Sequence, residues 1–333
     1  MSEKVLSISV AAYNVSCFLN RTLDSLLIEE PYRSKLDVII VNDGSKDETF
    51  KIAKQYADNY SECIRVIDKP NGGYGSTINA SLAVAEGKYY KLLDGDDWFE
   101  KRELCGLIDF LEEASSDLVI SPYFEETDKK KYIAHHPEIP SESTSLFTVD
   151  LNSNQVFQMH GLTVRTDVIR NFNLPITENC FYTDFEFVFY CIMAANTIVR
   201  NNNAVYCYRL GQEGQSVSLA GTRKHYLDYH RVAEKMFRCY DDAIGRIEGP
   251  KKDVLEKAVA FYTYCIFNAY MLLENPELHR KELMEFDSML REKSPKAWKA
   301  GMRSNIVRWA RMLNFNFYSG FCRFMMHRCQ HQQ

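Results

Sequence analysis

Three carboxylates stand within four positions where a short apolar run ends, in the segment 89–98 (YYKLLDGDDW). Crowded carboxylates repel one another, and each is costly near a core unless a cation lies between them. Asp94 and Asp96 are two residues apart, so at the end of an extended strand they face the same side. Oxygen ligands at this spacing suit Mg²⁺ or Mn²⁺, with water and phosphate oxygens as the other ligands. The alternative is a solvated acidic turn in which Asp97 is the N-cap of the next helix.

Strands and helices that could position these carboxylates alternate along the first hundred residues. The segment 5–12 alternates β-branched and small residues, and 36–41 is largely a continuous apolar run, typical of a strand buried on both faces. Residues 18–27 and 52–56 have apolar side chains at helical spacing, and 63–67 supplies another strand. This alternation predicts a doubly wound α/β sheet, in which ligands bind beyond the carboxyl ends of the strands.

Polar and glycine residues gather at the predicted strand ends, at Tyr13, Asp43, 71–75 and 94–97. Four such groups at one edge of a sheet are hard to explain as unrelated turns. The glycines of 71–75 permit close backbone approach or a positive φ. The segment is therefore either a loop lying against a ligand or an ordinary turn.

Three sequence blocks carry a specific resemblance: SVAAYN at 9–14, VNDGSKDET at 41–49 and LLDGDD at 92–97. In order and spacing they resemble the signature segments of family 2 glycosyltransferases. The resemblance implies the GT-A fold, a Rossmann-like nucleotide-binding mixed sheet. It also implies transfer of a sugar from a nucleotide-sugar, with inversion.

The same resemblance implies roles for individual residues. Tyr13 would stack on the nucleotide base, and Asp43 would accept a hydrogen bond from an imide edge such as that of uracil. Asp94 would lie near the ribose, and Asp96 would bind the Mn²⁺ or Mg²⁺ ion. We expect the donor-binding residues to be Ala11, Tyr13, Asp43, Asn71, Gly73, Asp94, Asp96 and Arg209.

The glycine-rich segment departs from the family pattern, in which an Ala-Arg-Asn run commonly follows. Here the run is NGGYGSTINA at 71–80, and only Asn79 keeps its place. The segment also resembles the glycine-rich loop of sugar nucleotidyltransferases. In those enzymes, however, the loop follows the first strand, whereas here it follows the third.

Asp184 is the predicted catalytic base. It lies in the aromatic run 178–189, and a carboxylate among rings has a raised pKa, which suits a general base. The place resembles the Glu-Asp pair of family 2 enzymes, with Thr183 where the Glu stands. Asp184 as the N-cap of the following helix is compatible with that role. Glu186 is the rival carboxylate, and helical spacing turns it away from Asp184.

Two further positions bear on donor and acceptor. The segment 206–218 predicts a strand followed by a glycine-containing loop, similar to a family stretch that closes over the donor and brings Arg209 to the diphosphate. The alternative is an ordinary surface loop. His160 either lines the acceptor cleft or is packed in the core.

Composition fits a globular enzyme of 333 residues with a net charge of −5. The ten cysteines include no Cys-x-x-Cys pair, so we interpret them as reduced residues of a cytosolic protein. We expect neither a signal peptide nor a membrane-spanning helix, because the sequence shows no apolar run of spanning length and no signal-peptide pattern. We divide the chain into a donor-binding half of the GT-A domain at 1–100, an acceptor-binding half at 101–220 and a helical C-terminal region at 221–333.

The C-terminal end is basic: residues 293–333 contain no Asp or Glu but eight Lys and Arg between 293 and 328, interleaved with Trp, Phe and Met. This pattern is typical of a helix lying on an anionic membrane surface. The alternative is a helix whose apolar side packs on the rest of the protein. We expect no nucleic-acid binding, because no other basic surface is evident.

Taken together, these patterns predict an inverting, metal-assisted glycosyltransferase. It would use a nucleotide-sugar donor, UDP-linked by preference, and a glycan or lipid-linked cell-envelope acceptor. We expect it in the cytoplasm, at the inner face of the membrane if the basic end binds lipid. The alternatives are a non-catalytic nucleotide-sugar-binding homologue and a sugar nucleotidyltransferase.

Overall fold

The computed structural model describes residues 4–127, 130–134, 139–148, 157–211, 218–316, 318–320 and 322–323. The chain divides into two compact units, Met1–Gly211 and Gln212–Gln333. The first unit is a mixed α/β structure and the second is helical.

The first unit contains strands and helices in alternation. Its strands are β1 (Leu6–Ala12), β2 (Leu36–Asn42), β3 (Ile64–Asp68), β4 (Tyr89–Asp94), β5 (Trp98–Phe99), β6 (Leu118–Ile120), β7 (Tyr123–Thr127), β8 (Lys130–Ala134), β9 (Thr144–Ser145), β10 (Leu162–Arg165), β11 (Thr197–Arg200) and β12 (Tyr206–Arg209). Its helices are α1 (Ser16–Leu26), α2 (Thr49–Asn59), α3 (Tyr74–Val84), α4 (Lys101–Glu113), α5 (Thr166–Phe172) and α6 (Thr183–Ala194).

Eight strands form the main sheet, in the order β3-β2-β1-β4-β10-β6-β11-β9. β1 to β4 pair in parallel, and β10 joins β4 and β6 in antiparallel orientation. Every residue of β2 is buried, as the apolar run predicts. The predicted mixed α/β architecture is therefore confirmed.

The register of the parallel strands sets the location of the site. Ala11 of β1 lies beside Val41 on one side and Asp94 on the other, and Ala12 lies beside Asn42. The three strands end together at one edge of the sheet. The residues that follow them are therefore brought to the same place.

A smaller sheet in the order β5-β12-β7-β8 lies after the acidic motif. In it β12 pairs with β5, with Tyr206 opposite Phe99. Because Trp98 and Phe99 form a strand and α4 begins at Lys101, Asp97 is not the N-cap of that helix. Residues 146–148 form a turn after β9.

The second unit consists of α7 (Leu219–Lys224), α8 (Asp228–Ala243), α9 (Gly249–Met271), α10 (Arg280–Lys293), α11 (Pro295–Gly301) and α12 (Asn305–Met312). The long helix α9 packs against α8, α11 and α12 and is buried along much of its length. Among the described residues, none of the helices has both the length and the apolar character needed to cross a bilayer.

The described part of the basic end includes two short helices, α11 and α12, with Val307 and Ala310 buried, and residues 324–328 of the predicted membrane surface lie outside the described residues. The Arg311 guanidinium is also buried; it pairs with Asp287 at 2.6 Å and lies 4.5 Å from the centre of the Trp298 ring. Part of the expected basic surface is therefore structural. Trp309 and Met312 remain exposed, at 48% and 63%.

Candidate active site

The acidic motif forms a cluster at the end of β4. Oxygen atoms of Asp94, Asp96 and Asp97 lie within 4.8 Å of one another. The Tyr74 hydroxyl donates a 2.7 Å hydrogen bond to Asp94 Oδ1. The arrangement brings the predicted metal ligand Asp96 and the predicted ribose neighbour Asp94 together.

Burial and mutual repulsion make these carboxylates hard to ionise. Burial, then the charge of Asp96, and then that of Asp184 raise the pKa of Asp94 to about 7. Burial also raises the pKa of Asp96, opposed in part by the positive charge of Arg209. A divalent cation would relieve this repulsion, so the residues present fit the metal that the sequence predicts.

Asp97 has a different role from its two neighbours because both of its oxygens accept hydrogen bonds from β12. Tyr206 donates its hydroxyl at 2.6 Å, and Arg209 donates its backbone N–H at 2.8 Å. Burial, and then the charges of Asp94 and Asp96, raise the pKa of Asp97 well above its usual range. Asp97 therefore joins the two sheets, which leaves Asp94 and Asp96 as the better metal ligands.

Asp43 anchors the glycine-rich loop. Its Oδ1 accepts hydrogen bonds from Gly72 N at 2.9 Å and Lys69 Nζ at 2.6 Å, and its Oδ2 accepts one from Gly73 N at 2.8 Å. Only 2% of Asp43 is exposed. Asp43 thus fixes this loop at the sheet edge, and the contact with the nucleotide base expected of Asp43 stays a prediction.

The glycines of the loop are explained by contacts inside the protein. Gly73 has φ = +78° and precedes α3. A Cβ on Gly73 would lie 3.1 Å from Cys180 N, and one on Gly75 would overlap the carbonyl oxygen of Thr177. The loop lies against the segment 176–180, and the donor contacts expected of Asn71 and Gly73 stay predictions.

Tyr13 follows β1 with 49% of its surface exposed, as a stacking platform requires. Ala11 is the penultimate residue of β1, and its carbonyl oxygen accepts a hydrogen bond from Gly95 N at 2.9 Å. The backbone of β1 therefore borders the acidic cluster, and Tyr13 follows directly after this strand.

Asp184 stands in the first turn of α6, after Tyr182 in a left-handed conformation. Burial raises the pKa of Asp184 to about 6, opposed by backbone hydrogen bonds at the start of the helix. Its charge in turn raises the pKa of both Asp94 and Tyr74. The predicted base therefore lies within electrostatic range of the acidic cluster.

Glu186 has structural partners. Its Oε2 accepts a hydrogen bond from Thr177 N at 2.8 Å, and its Oε1 accepts one from the Tyr190 hydroxyl at 2.9 Å. The side chain is fully buried. These contacts explain its presence without a role in proton transfer, which supports Asp184 over its rival.

His160 lies in an aromatic cluster, with its ring stacked 4.1 Å from that of Tyr208 and edge-on to Tyr206. Its carbonyl accepts a 2.7 Å hydrogen bond from buried Lys91, whose pKa burial lowers to about 7. This geometry fits the packing alternative, and an acceptor role for His160 stays a prediction.

The Arg209 guanidinium lies 4.4 Å from the centre of the Phe18 ring. It is also close enough to Asp96 for its positive charge to oppose the rise in the pKa of that carboxyl.

Sequence reasoning missed four residues that hold the site together: Tyr74, Lys69, Asp97 as an acceptor, and Tyr206. Lys69 lies two residues before the glycine-rich segment and Tyr74 lies within it, so both could have been found from this segment. No local pattern points to the bond from Tyr206 to Asp97, because 109 residues separate the partners.

The strand order, the register and the carboxylate cluster define a nucleotide-binding mixed sheet of the GT-A type. A model of the family described as Glycosyl transferase family 2 matches residues 7–179. That is just over half of the chain, so the chain belongs to glycosyl transferase family 2. The recognition made from the three sequence blocks is confirmed.

Curated relatives are similar over part of their length. The Bacillus subtilis protein named uncharacterized glycosyltransferase EpsJ is 34% identical over 130 residues, which are 39% of this chain and 37% of that protein. The Staphylococcus aureus protein named poly(ribitol-phosphate) beta-N-acetylglucosaminyltransferase TarS is 24% identical over 218 residues, 64% of this chain and 37% of that protein. The chain thus spans little more than a third of the length of these relatives.

Solved structures share the fold. The crystal structure of S. aureus TarS superposes with a TM-score of 0.69 and 18% identity, covering 95% of this chain and 55% of that chain. The crystal structure of S. aureus TarS 1-349 in complex with UDP-GlcNAc superposes with a TM-score of 0.57 and 16% identity, covering 89% of this chain and 90% of that chain. At these identities the likeness shows the GT-A fold alone.

Proposed function

We propose that this protein transfers a sugar with inversion from a nucleotide-sugar, UDP-linked by preference, to a hydroxyl of a glycan or lipid-linked envelope acceptor. One observation carries the proposal: Asp184 lies within electrostatic range of Asp94 in the acidic cluster. This proximity supports a proposed base next to the proposed diphosphate site. Family membership and the UDP-GlcNAc bound to TarS support the choice of donor. Residues 1–100 bind the donor in this proposal, and 101–220 supply the base and the acceptor side.

The reaction follows from the placement of these groups. The acceptor hydroxyl attacks the anomeric carbon, and the bond from that carbon to the diphosphate oxygen breaks as the new bond forms. Asp184 accepts the hydroxyl proton, and the nucleoside diphosphate leaves with the bond electrons. Arg209 lies on the side of Asp96, where its positive charge balances the leaving phosphates.

Asp94 and Asp96 are the residues that would hold a divalent ion. Such an ion supplies Lewis-acid stabilisation of the leaving diphosphate. The supporting observations are the converging oxygens and the raised pKa values of these carboxylates. A solved relative of the same fold, a mannosyltransferase of Pyrobaculum calidifontis, is in complex with GDP-Man and Mn²⁺ (TM-score 0.53, 13% identity).

Donor binding provides the first test. With Mn²⁺ present, we expect UDP and UDP-GlcNAc to raise the melting temperature, since ligands of the native state stabilise it. Tyr13→Ala should weaken UDP binding about 5- to 150-fold, the equivalent of the ~1–3 kcal/mol of one base–aromatic stack. Isothermal titration calorimetry measures this change directly.

Tyr13→Phe is the matched control for donor binding, because it keeps the ring and should bind UDP within about threefold of the wild type. Tyr132→Ala alters a similarly exposed tyrosine on β8. Equal UDP affinity in Tyr13→Ala and Tyr132→Ala would remove Tyr13 from the donor site.

The basic end supports a second part of the proposal, association with an anionic membrane surface through 293–328. On α12, Arg308, Trp309 and Met312 are exposed, and Met312 follows Arg308 by four residues and Trp309 by three, so the three share one face of the helix. Aromatic and apolar side chains next to a cation are the elements of an interfacial anchor. This face would keep the protein at the inner surface of the cell membrane, near a lipid-linked acceptor.

Membrane association is tested at the exposed face, since removal of the whole end would also uncover the part of α9 on which α12 packs. We expect Trp309→Glu with Met312→Glu to reduce co-sedimentation with phosphatidylglycerol vesicles at least tenfold, without a change in melting temperature. Binding of the wild type should fall steeply with salt. Leu278→Glu, at a leucine that is 79% exposed, is the control. Equal sedimentation of all three proteins would contradict the membrane part of the proposal.

A further inference from the structure

The segment that leads into α6 is held by one side chain of α3. Asn79 Oδ1 accepts a hydrogen bond from Ile176 N at 2.8 Å, and Asn79 Nδ2 donates to Ile176 O at 2.9 Å. The same Nδ2 donates to Glu178 Oε1 at 3.0 Å. The carboxamide thus satisfies both backbone groups of Ile176 across 97 residues of sequence.

The same segment is fixed to α6 at its other side. Thr177 N donates to Glu186 Oε2, and Glu186 is two residues beyond Asp184 on the helix. Asn79 therefore holds the residue next to the one that bonds α6. A movement of residue 176 would be passed to the first turn of α6 through the hydrogen bond from Thr177 N to Glu186.

The glycine-rich loop completes the connection to the donor side. Gly72 O accepts a hydrogen bond from Asn179 N at 2.5 Å, while Gly72 N and Gly73 N donate to Asp43. Gly75 leaves the space that the Thr177 carbonyl fills. The Asp43 side of the site and the segment before Asp184 are thus packed as one piece.

We propose that Asn79 is a positioning residue for the base: it holds the segment 176–180 against α3 and thereby sets the place of Asp184 beside the acidic cluster. This inference rests on the proposed function, because it assigns Asn79 by its effect on the proposed base. A displacement of about 1 Å in a reacting group can lower the rate about 100-fold, so the loss should appear in turnover rather than in donor binding.

Two substitutions disturb this contact from opposite sides. Asn79→Ala removes all three hydrogen bonds, and Gly75→Ala pushes the Thr177 carbonyl away. For both we expect kcat for UDP release from UDP-GlcNAc to fall at least 10-fold, with the Kd for UDP within threefold of the wild type. Hydrogen exchange should also be at least tenfold faster at the amides of 176, 177 and 179, which lose their restraint.

Matched controls separate positioning from general loss of stability. Asn59→Ala alters an exposed asparagine at the end of α2. Ile108→Val removes one methylene from the buried face of α4 and lowers the melting temperature without touching the segment. Neither variant should lower kcat selectively while leaving the Kd for UDP unchanged, and neither should speed amide hydrogen exchange at 176–179.

If amide hydrogen exchange at 176–179 is as slow in Asn79→Ala as in the wild type, the inference is overturned. A loss of UDP affinity as large as the loss of turnover would overturn it as well. Asp184→Asn is measured alongside the other variants. If it turns over normally, the proposed base is wrong, whereas faster exchange in Asn79→Ala would still identify Asn79 as the residue that holds the segment.

Discussion

Asp184→Asn should lower turnover by a factor of ~10²–10⁴, the usual contribution of a general base, while UDP affinity changes little. Asparagine keeps the shape of the side chain and its place in the first turn of α6 but cannot accept the acceptor proton. Steady-state kinetics with UDP-GlcNAc and calorimetry with UDP measure the two quantities separately. Glu186→Gln is a weaker control, because Glu186 is bonded to Thr177 and Tyr190 and its loss disturbs structure.

The pH profile gives the same residue a second signature. Burial raises the pKa of Asp184 to about 6, so below that pH the side chain is protonated and cannot act as a base. Wild-type turnover should therefore fall as the pH drops through about 6. The residual activity of Asp184→Asn should lack this limb. Near-normal turnover by the variant, or an identical acid limb in both proteins, would remove Asp184 from the mechanism.

Stability should change in the opposite direction to activity. A carboxyl with a raised folded pKa binds its proton more tightly in the native state, so its contribution to stability is lost as the pH rises through about 6. The difference from the usual 3.8 corresponds to at most about 3 kcal/mol. Asp184→Asn should therefore melt higher than the wild type at pH 8, with the gap closing below about pH 4. Denaturation at both pH values checks this expectation.

Asp96→Ala should abolish the dependence of UDP binding on a divalent ion while leaving the protein folded. In the wild type we expect chelation to weaken UDP binding at least tenfold, since uncompensated carboxylates then face the phosphates. Removal of Asp96 takes away a ligand and a charge together. The variant should bind UDP with the same weak affinity in Mn²⁺ and in chelator.

Calorimetry with Mn²⁺, Mg²⁺ and chelator measures this dependence, and Asp47→Ala is the control. Asp47 is an exposed carboxylate that accepts hydrogen bonds from Ser16 N and Thr49 N, outside the acidic cluster. It should lose some stability yet keep the ion dependence. Wild-type affinity in Asp96→Ala, or no effect of chelator on the wild type, would contradict the metal assignment.

The edge of the sheet was predictable because it is encoded locally. Buried strands such as β2 are continuous apolar runs, and the residues that follow parallel strands must meet at one edge. Asp94 and Asp96 could therefore be placed near Tyr13 without any structure. Asp184 was selected from its place inside an aromatic run, and its role as the base stays a prediction.

What could not be predicted depends on contacts between distant segments. The sequence shows that the glycine-rich loop needs small residues, but it does not show that the segment 176–180 fills the space above them. Likewise, the basic end reads as one amphipathic stretch, although Arg311 is paired with Asp287 inside the helical unit. Partners more than twenty residues apart leave no periodic signal in either segment.

The bonds from β12 to Asp97 have a consequence for how the protein is made. The partner hydroxyl of Tyr206 follows Asp97 by 109 residues. At ~5–20 residues per second, the ribosome adds that stretch in roughly 5–20 seconds. During this interval the first four strands have emerged, yet the Asp97 carboxylate still lacks the two donors that satisfy it in the finished fold. We expect the nascent sheet edge to stay hydrated and open until β12 arrives, so that the capacity to bind a nucleotide appears only after residue 209 has been synthesised.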